Sequence, residues 1–581
     1  MRSQFLRNSL ASSFGPFASR IGLSLAAPLV FTAGCSGDPA VPSGPPPYAP
    51  PPASTLVDES PVKIRREVFT LAGIEADPNP TAGDSGITPA DKNALRVVRY
   101  RVDADPPRPA RAIAVLMPGF LGGAGSYEPM ARAIVRRSQG DEAFEAWAID
   151  RRSNLLEDHH GLDVAEVRRD PELGIAYYFE GEAVEGKTFP GFVQPSDVPY
   201  LSEWGLATTL GDLRKVIELV AAPDRKSRIV LVGHSLGASI AEAYAAWDFN
   251  GSPGYSDLAG LVLVDGISGE EGDAAPSLTE DEYLNGSGSG FTAMPGLDAI
   301  RASTPYIALP LLGLDIYPVA SVTSMRSQWK PDEIIKDFYR NKAFQTLLSL
   351  GAIPDMTNRA AMGFAFDNES NGVSFAAVSC GTSKGGAVEK YTSLLGPELV
   401  HPVDTSATYD WIEFDATDPR EATSIDDLAR SWYDGPGLDF AEWYFPARLP
   451  LDAAAAKTLI LKEGDWPLTK YGLRAMHGAS MDLPIFGAVA GLIGTTDALA
   501  KLRALVDAVP IGPGRPLAGT PRTDENAFKV LDVIALTHID PLSGSDSGGG
   551  LVPMWYDSLV QWMTTNTPPG GVTIPVAPPG E

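Results

Sequence analysis

Two cysteines, Cys35 and Cys380, are all the chain holds in 581 residues, so no disulfide framework organises it. Long apolar runs are missing too. The uncharged stretch at 21–34 would rise only about 21 Å as a helix, short of a hydrocarbon core of about 30 Å. Basic residues are scarce: 46 Lys and Arg stand against 73 Asp and Glu, a formal net charge of −27. A surface so acidic repels phosphate backbones, and no basic stripe interrupts it, which argues against nucleic acid as a partner. No repeat of 20–50 residues is visible, so a solenoid or propeller is not expected. No Cys/His spacing suggests zinc, and no glycine pattern suggests a nucleotide cofactor, so no metal and no cofactor are expected.

What is present is ordinary globular composition, 44% hydrophobic and 20% charged. At roughly 100–200 residues per domain, the length calls for one large domain with insertions, or for two.

The first twenty residues are basic, with Arg2, Arg7 and Arg20 and no acid, and the apolar stretch 21–34 follows them. Together they read as an export signal rather than as fold. The stretch ends in Thr32-Ala33-Gly34-Cys35, which resembles a bacterial lipoprotein signal in which the Cys is acylated and becomes the new N-terminus; the usual Leu is Thr32 here. The resemblance implies an exported protein, lipid-anchored at Cys35 to the outer membrane or cell envelope, with a periplasmic or secreted protein as the alternative. Residues 37–55 hold eight prolines and form an extended spacer, suited to tethering a domain at a membrane surface. A lipidated Cys35 leaves Cys380 without a disulfide partner.

Beyond the spacer, strand and helix patterns alternate. Residues 62–71 and 95–103 alternate in polarity and read as antiparallel edge strands. Continuous apolar runs at 111–119, 143–150, 228–233, 259–266, 458–465 and 528–538 read as buried strands, with helix patterns at 126–138, 203–221, from Leu236, and at 552–565. This is an α/β chain with a mostly parallel sheet covered by helices on both faces. Between Gly266 and Lys457 the alternation stops for a stretch too long to be a loop. The expected organisation is a signal segment (1–35), a linker (36–60), a core in two parts (61–265 and 457–565) interrupted by an inserted cap (266–456), and a Pro/Gly-rich tail (566–581).

The sharpest motif is Gly233-His234-Ser235-Leu236-Gly237, directly after a buried strand and directly before a helix. That context suits a nucleophile elbow, a sharp turn that exposes a serine hydroxyl. With it the chain resembles an α/β-hydrolase, over roughly residues 62–265 and 457–565. The resemblance implies a Ser-acid-His triad in that chain order. Ser235 is the expected nucleophile. Of the six histidines, His159 and His160 precede Ser235, His234 lies inside the elbow and is expected to point elsewhere, His401 lies in the insert, and His477 has no strand of its own. His538, on the last run before the terminal helix, is the expected base. The acid is expected at Asp465, with Asp265 as the alternative. The oxyanion donors are expected to be the backbone N–H groups of Leu236 and of Phe120, in a Pro118–Gly123 turn that resembles the family's HGFLG turn with Pro118 in place of the His.

A serine nucleophile with these partners performs acyl transfer. The insert's apolar 305–320 stretch and its Trp411, Trp432, Trp443, Tyr444 and Phe445 suggest an apolar acyl pocket, with 484–494 as a second wall. The expected activity is carboxylic-ester hydrolysis of lipase or esterase type on a small-molecule or lipid substrate. A peptidase, amidase or thioesterase on the same fold is an alternative, as is a non-catalytic surface-anchored binding protein.

Overall fold

Period-two side-chain alternation sends each central strand's residues to two separate cores. In β4 (Ala110–Met117), Ile113, Val115 and Met117 pack on one face of the sheet, and Ala112, Ala114 and Leu116 on the other. The same split recurs in β6 (Ile229–His234) and β7 (Gly260–Val264), where Leu231 and Leu263 face one side and Val232 and Val262 the other. Strands apolar on both faces need helices on both faces. On the first face lie Leu210 and Leu213 of α2 (Leu206–Ile217), Ile240 and Tyr244 of α3 (Leu236–Ala246), and Leu499 and Leu502 of α8 (Thr495–Val506). On the second lie Met130 and Ile134 of α1 (Glu128–Arg136) and Trp555, Leu559 and Trp562 of α9 (Leu551–Asn566).

The computed structural model describes residues 48–574, apart from 141, 289–292, 308–312, 336–353, 372–375, 393–397, 414–420, 493 and 547–549. With β1 (Ser54–Asp58), β2 (Ile64–Ala72), β3 (Ala94–Val102), β5 (Ala143–Asp150), β8 (Ile485–Val489) and β9 (Phe528–Asp532), the nine-stranded sheet runs in the order β1-β2-β3-β5-β4-β6-β7-β8-β9. The first three strands and the β3–β5 pair are antiparallel, and every pair from β5 through β9 is parallel. This is the α/β-hydrolase fold. Register pairs Met117 with Gly233, and His234 with Val264, so the parallel strands end along one edge. Ligand sites in parallel sheets form at that edge. Among the described residues no helix is long and apolar enough to cross a membrane.

The two strands expected at the antiparallel edge lie inside it, because Ser54–Asp58, from the expected linker, pairs beyond them as β1. Two further expected strands differ. Residues 458–465 form a turn, not a strand: Leu459 takes a positive φ of 62° and Gly464 one of 100°, and neither suits a ladder. The strand beside β7 is Ile485–Val489, within the segment expected only to wall a pocket. Gly487 lets α8 approach, since a Cβ there would meet Leu499 at 2.5 Å. The run 528–538 pairs only as far as Asp532; it is an edge strand with Val530 exposed, and His538 lies in the loop beyond it.

The insert carries α4 (Ile316–Trp329), α5 (Asn358–Phe366), α6 (Ile425–Ser431) and α7 (Arg448–Ala456). Its core is shared: Leu162, Tyr177, Tyr178 and Leu201, from the segment after β5, pack in one cluster with Met325, Phe364, Trp432 and Trp443 of the insert. Cys380 is buried there with a free thiol.

Candidate active site

β6 ends at His234 and α3 starts at Leu236, leaving Ser235 alone in the turn with φ 55° and ψ −128°. A non-glycine residue in such a conformation costs about 1–3 kcal/mol and persists only where its surroundings hold it. The Ser235 N–H donates to the Val264 carbonyl at 3.0 Å. Close packing requires the flanking glycines, since a Cβ on Gly233 would lie 2.1 Å from the Gly237 carbonyl, and one on Gly237 would lie 2.1 Å from that of Met117.

On the neighbouring strand end, Asp265 leaves β7 with φ 43°, its N–H donating to the Ala488 carbonyl at 2.8 Å. Its fully buried carboxylate accepts from the N–H groups of Ala490 (2.9 Å) and Leu492 (2.8 Å) and from the Thr495 hydroxyl (3.3 Å). It also lies 2.7 Å from His538 Nδ1. Burial works to raise the Asp265 pKa, but His538 and the two backbone donors outweigh it and hold the carboxyl below its ordinary range.

Two further contacts hold the His538 loop. His234 donates from Nε2 to the His538 carbonyl at 2.7 Å, with the rings 4.5 Å apart. Burial, reinforced by the neighbouring His538 charge, pushes the His234 pKa down to about 3, so this imidazole is a neutral donor. Far from pointing elsewhere, His234 braces the histidine loop. Asp540, two residues on, accepts from the N–H groups of Thr537 (2.8 Å) and Ser379 (3.0 Å) and from the Thr423 hydroxyl (2.8 Å), which ties the loop to the insert.

Gly119 and Phe120 lie against the elbow; a Cβ on Gly119 would sit 2.8 Å from that of Ser235. Arg151, buried after β5, donates to the carbonyls of Pro118 (2.8 Å), Gly119 (2.7 Å) and Gly122 (3.3 Å) and pairs with Glu442 of the insert at 2.8 Å. From the other side, Gly123 donates to Phe440, and Glu442 donates to Leu121, each at 2.8 Å. The Pro118–Gly123 turn is thus held between Arg151 and the insert. Nothing in the local sequence singles out Arg151, whose partners are main-chain carbonyls and a distant glutamate.

Ser235, His234, His538 and Phe120 line a cavity of about 230 Å³. Its remaining wall is mainly apolar and is shared: Ile316, Tyr317, Phe366, Trp432 and Phe440 come from the insert, and Leu121, Leu492, Ile539 and Leu542 from the core. Of the aromatic residues expected there, Trp432 lines the cavity. Trp411, Trp443 and Tyr444 instead build the insert's core, and Phe445 packs under the sheet.

Asp465 is not brought to His538. It precedes the short helix Trp466–Tyr471, and its carboxylate accepts from the Lys462 N–H at 2.9 Å, which is a turn role. Because 458–465 does not join the sheet, its end does not reach the edge where Ser235 and His538 lie. His477 pairs with Asp248 (3.2 Å), His160 reaches the Val184 carbonyl (2.9 Å), and His401 packs on Tyr391. Cys35 lies outside the described residues.

No family model and no curated protein matches the chain. Solved structures similar to it include a soluble variant of monoglyceride lipase from Saccharomyces cerevisiae, at 9% identity and a TM-score of 0.30, covering 91% of this chain and 99% of that one. A peroxisomal α/β-hydrolase from the same organism is similar at 10% identity and a TM-score of 0.34, covering 90% and 94%. The epoxide hydrolase VrEH1 from Vigna radiata is similar at 13% identity and a TM-score of 0.29, covering 82% and 93%. Likeness at this level carries no argument about chemistry; the fold rests on the strand order above.

Proposed function

We propose that the protein is a serine hydrolase of carboxylic esters, acting through Ser235, His538 and Asp265. The observation that carries this reading is the His538 Nδ1 to Asp265 contact of 2.7 Å, at the same cavity that Ser235 lines. With its Nδ1–H donated to Asp265, His538 offers Nε2 to the serine proton. Ser235 Oγ attacks the ester carbonyl while the N–H groups of Leu236 and Phe120 receive the oxyanion. His538 then returns the proton to the leaving alcohol, and water, activated by the same base, hydrolyses the acyl-enzyme. Serine at the elbow, where an aspartate nucleophile would serve dehalogenase or epoxide-hydrolase chemistry, favours acyl transfer. The apolar wall from the insert favours an apolar acyl group.

The test is mass spectrometry after exposure to a fluorophosphonate. One adduct is expected on Ser235, absent from Ser235→Ala and from His538→Ala, together with turnover of p-nitrophenyl esters. Anilide or thioester turnover at rates matching the esters moves the reading to an amidase or a thioesterase. A folded protein without an adduct overturns it and leaves an anchored binding domain.

Export and lipid anchoring at Cys35 in the cell envelope complete the proposal, on the strength of the Thr32–Cys35 sequence and the proline-rich spacer alone. Metabolic labelling with an alkyne fatty acid is expected to mark the wild-type chain and not Cys35→Ser. Equal labelling of the two excludes the anchor.

A further inference from the structure

The insert meets the core through a group of titratable side chains that the triad does not use. The loop after β5 supplies Glu157 and His159, and the insert supplies Asp439. His159 Nε2 lies 2.7 Å from Glu157 Oε2 and 4.0 Å from Asp439 Oδ2, and one ligand atom from each residue falls within 4.8 Å of the others. All three side chains are enclosed, with exposures of 0%, 7% and 1% in the order Glu157, His159, Asp439.

The arginines beside this group are engaged elsewhere. The nearby Asp150 pairs with Arg96, and Glu442 pairs with Arg151. Among the described residues, Glu157 and Asp439 have only His159 as an ion-pair partner. Trp443 donates its backbone N–H to Glu157 at 2.8 Å and its indole N–H to Asp439 at 2.6 Å, which orients both carboxylates as outer partners orient metal ligands.

Two polar atoms beside the group have no hydrogen-bond partner among the described residues. One is Asn154 Oδ1, on a residue 3% exposed whose amide nitrogen reaches Glu157 Oε1 at 3.4 Å. The other is the Tyr317 hydroxyl, on a ring also 3% exposed and stacked 6.3 Å from Trp443. Buried oxygens of this kind are rare without an occupant to satisfy them.

We propose that Glu157, His159 and Asp439 bind a divalent metal ion of the zinc class, which clamps the insert to the loop after β5. An imidazole with two carboxylates is a donor set for zinc and its neighbours, whereas calcium and magnesium favour oxygen alone. The separations of 2.7 and 4.0 Å bracket the edge of about 3.3 Å in a tetrahedron with bonds of about 2.0–2.1 Å, so ligation asks for shifts of less than about 1 Å. The site's role is structural and reaches the catalytic cavity. The Asp439 carbonyl accepts from Gly125, Phe440 accepts from Gly123, and Tyr317 is part of the cavity wall. No spacing motif announces the site, because Asp439 and His159 come from opposite sides of the elbow in sequence.

The test uses the full chain without a polyhistidine tag. Elemental analysis after gel filtration is expected to find one zinc per chain. Stripping with a chelator is expected to lower Tm, and zinc to restore it. Calorimetry is expected to show binding at least about 100-fold weaker in His159→Gln and in Asp439→Asn. X-ray absorption at the zinc edge reads the unmutated chain directly, so a variant that fails to fold does not block the test; one imidazole with oxygen ligands is expected. Undiminished binding in both variants, a shell of several imidazoles, or a wild-type chain that binds no zinc and shows no Tm response overturns the proposal. None of these outcomes depends on labelling of Ser235.

Discussion

Asp265 makes four hydrogen bonds through its carboxylate, two of them to backbone N–H groups of the segment that follows β8. A residue serving only to turn the chain has no need of them. Removing its charge while keeping its shape tests the role. Asp265→Asn is expected to lower kcat about 10⁴-fold, since the imidazole loses both its tautomer and its counter-charge. Asp465→Asn is expected to stay within about twofold of wild type, because an amide oxygen still accepts from Lys462. Ester turnover by the two variants measures the difference, and the reverse ranking would return the acid to Asp465. Sequence could not separate the two aspartates: each ends an apolar run at a turn, and only sheet pairing puts one beside His538.

At the scale of elements, the Pro118–Gly123 turn is no free loop. Arg151 holds three of its carbonyls, and the strand-like contact with 440–442 holds the Gly123 N–H and the Leu121 carbonyl. Replacing Arg151 with Met strands a buried Glu442 and those carbonyls, and is expected to destabilise the protein by about 3–5 kcal/mol. Adding Glu442→Gln is expected to recover part of that loss, because the uncompensated charge goes with it. Urea midpoints of the single and double variants check this. The elbow was legible from five residues and their flanks because its geometry is local. The brace was not, since guanidinium-to-carbonyl contacts leave no periodic trace in sequence.

For the whole molecule, buried carboxyls set the pH response. Burial pushes Glu166 and Asp367 up to about 8. Unfolded, they titrate near 4.3 and 3.9. Between about pH 4 and pH 8 the folded state keeps protons that the unfolded chain has lost, so stability falls as pH rises, by up to about 1.4 kcal/mol per pH unit for each group. Asp265 acts with the opposite sign, contributing stability above the ordinary aspartate range that is lost as acid reaches its lowered pKa. Urea unfolding at pH 5.5 and pH 8 is expected to show the more alkaline protein as weaker. Asp367→Asn and Glu166→Gln are expected to flatten that difference; an unchanged slope would show that neither carboxyl keeps its proton.

The alternating strand and helix patterns, the place of Ser235 between them, and the existence of a long insert were determined by the sequence alone. Hydrophobic period and turn chemistry act over a few residues and need no distant partner. Tertiary structure decided which run joins β7, which aspartate faces His538, and how the segment around Leu162–Leu201 comes to share the insert's core. Those outcomes turn on contacts between segments far apart in the chain. An apolar run such as 458–461 satisfies itself equally well in a buried turn or in a strand until its neighbours are in place.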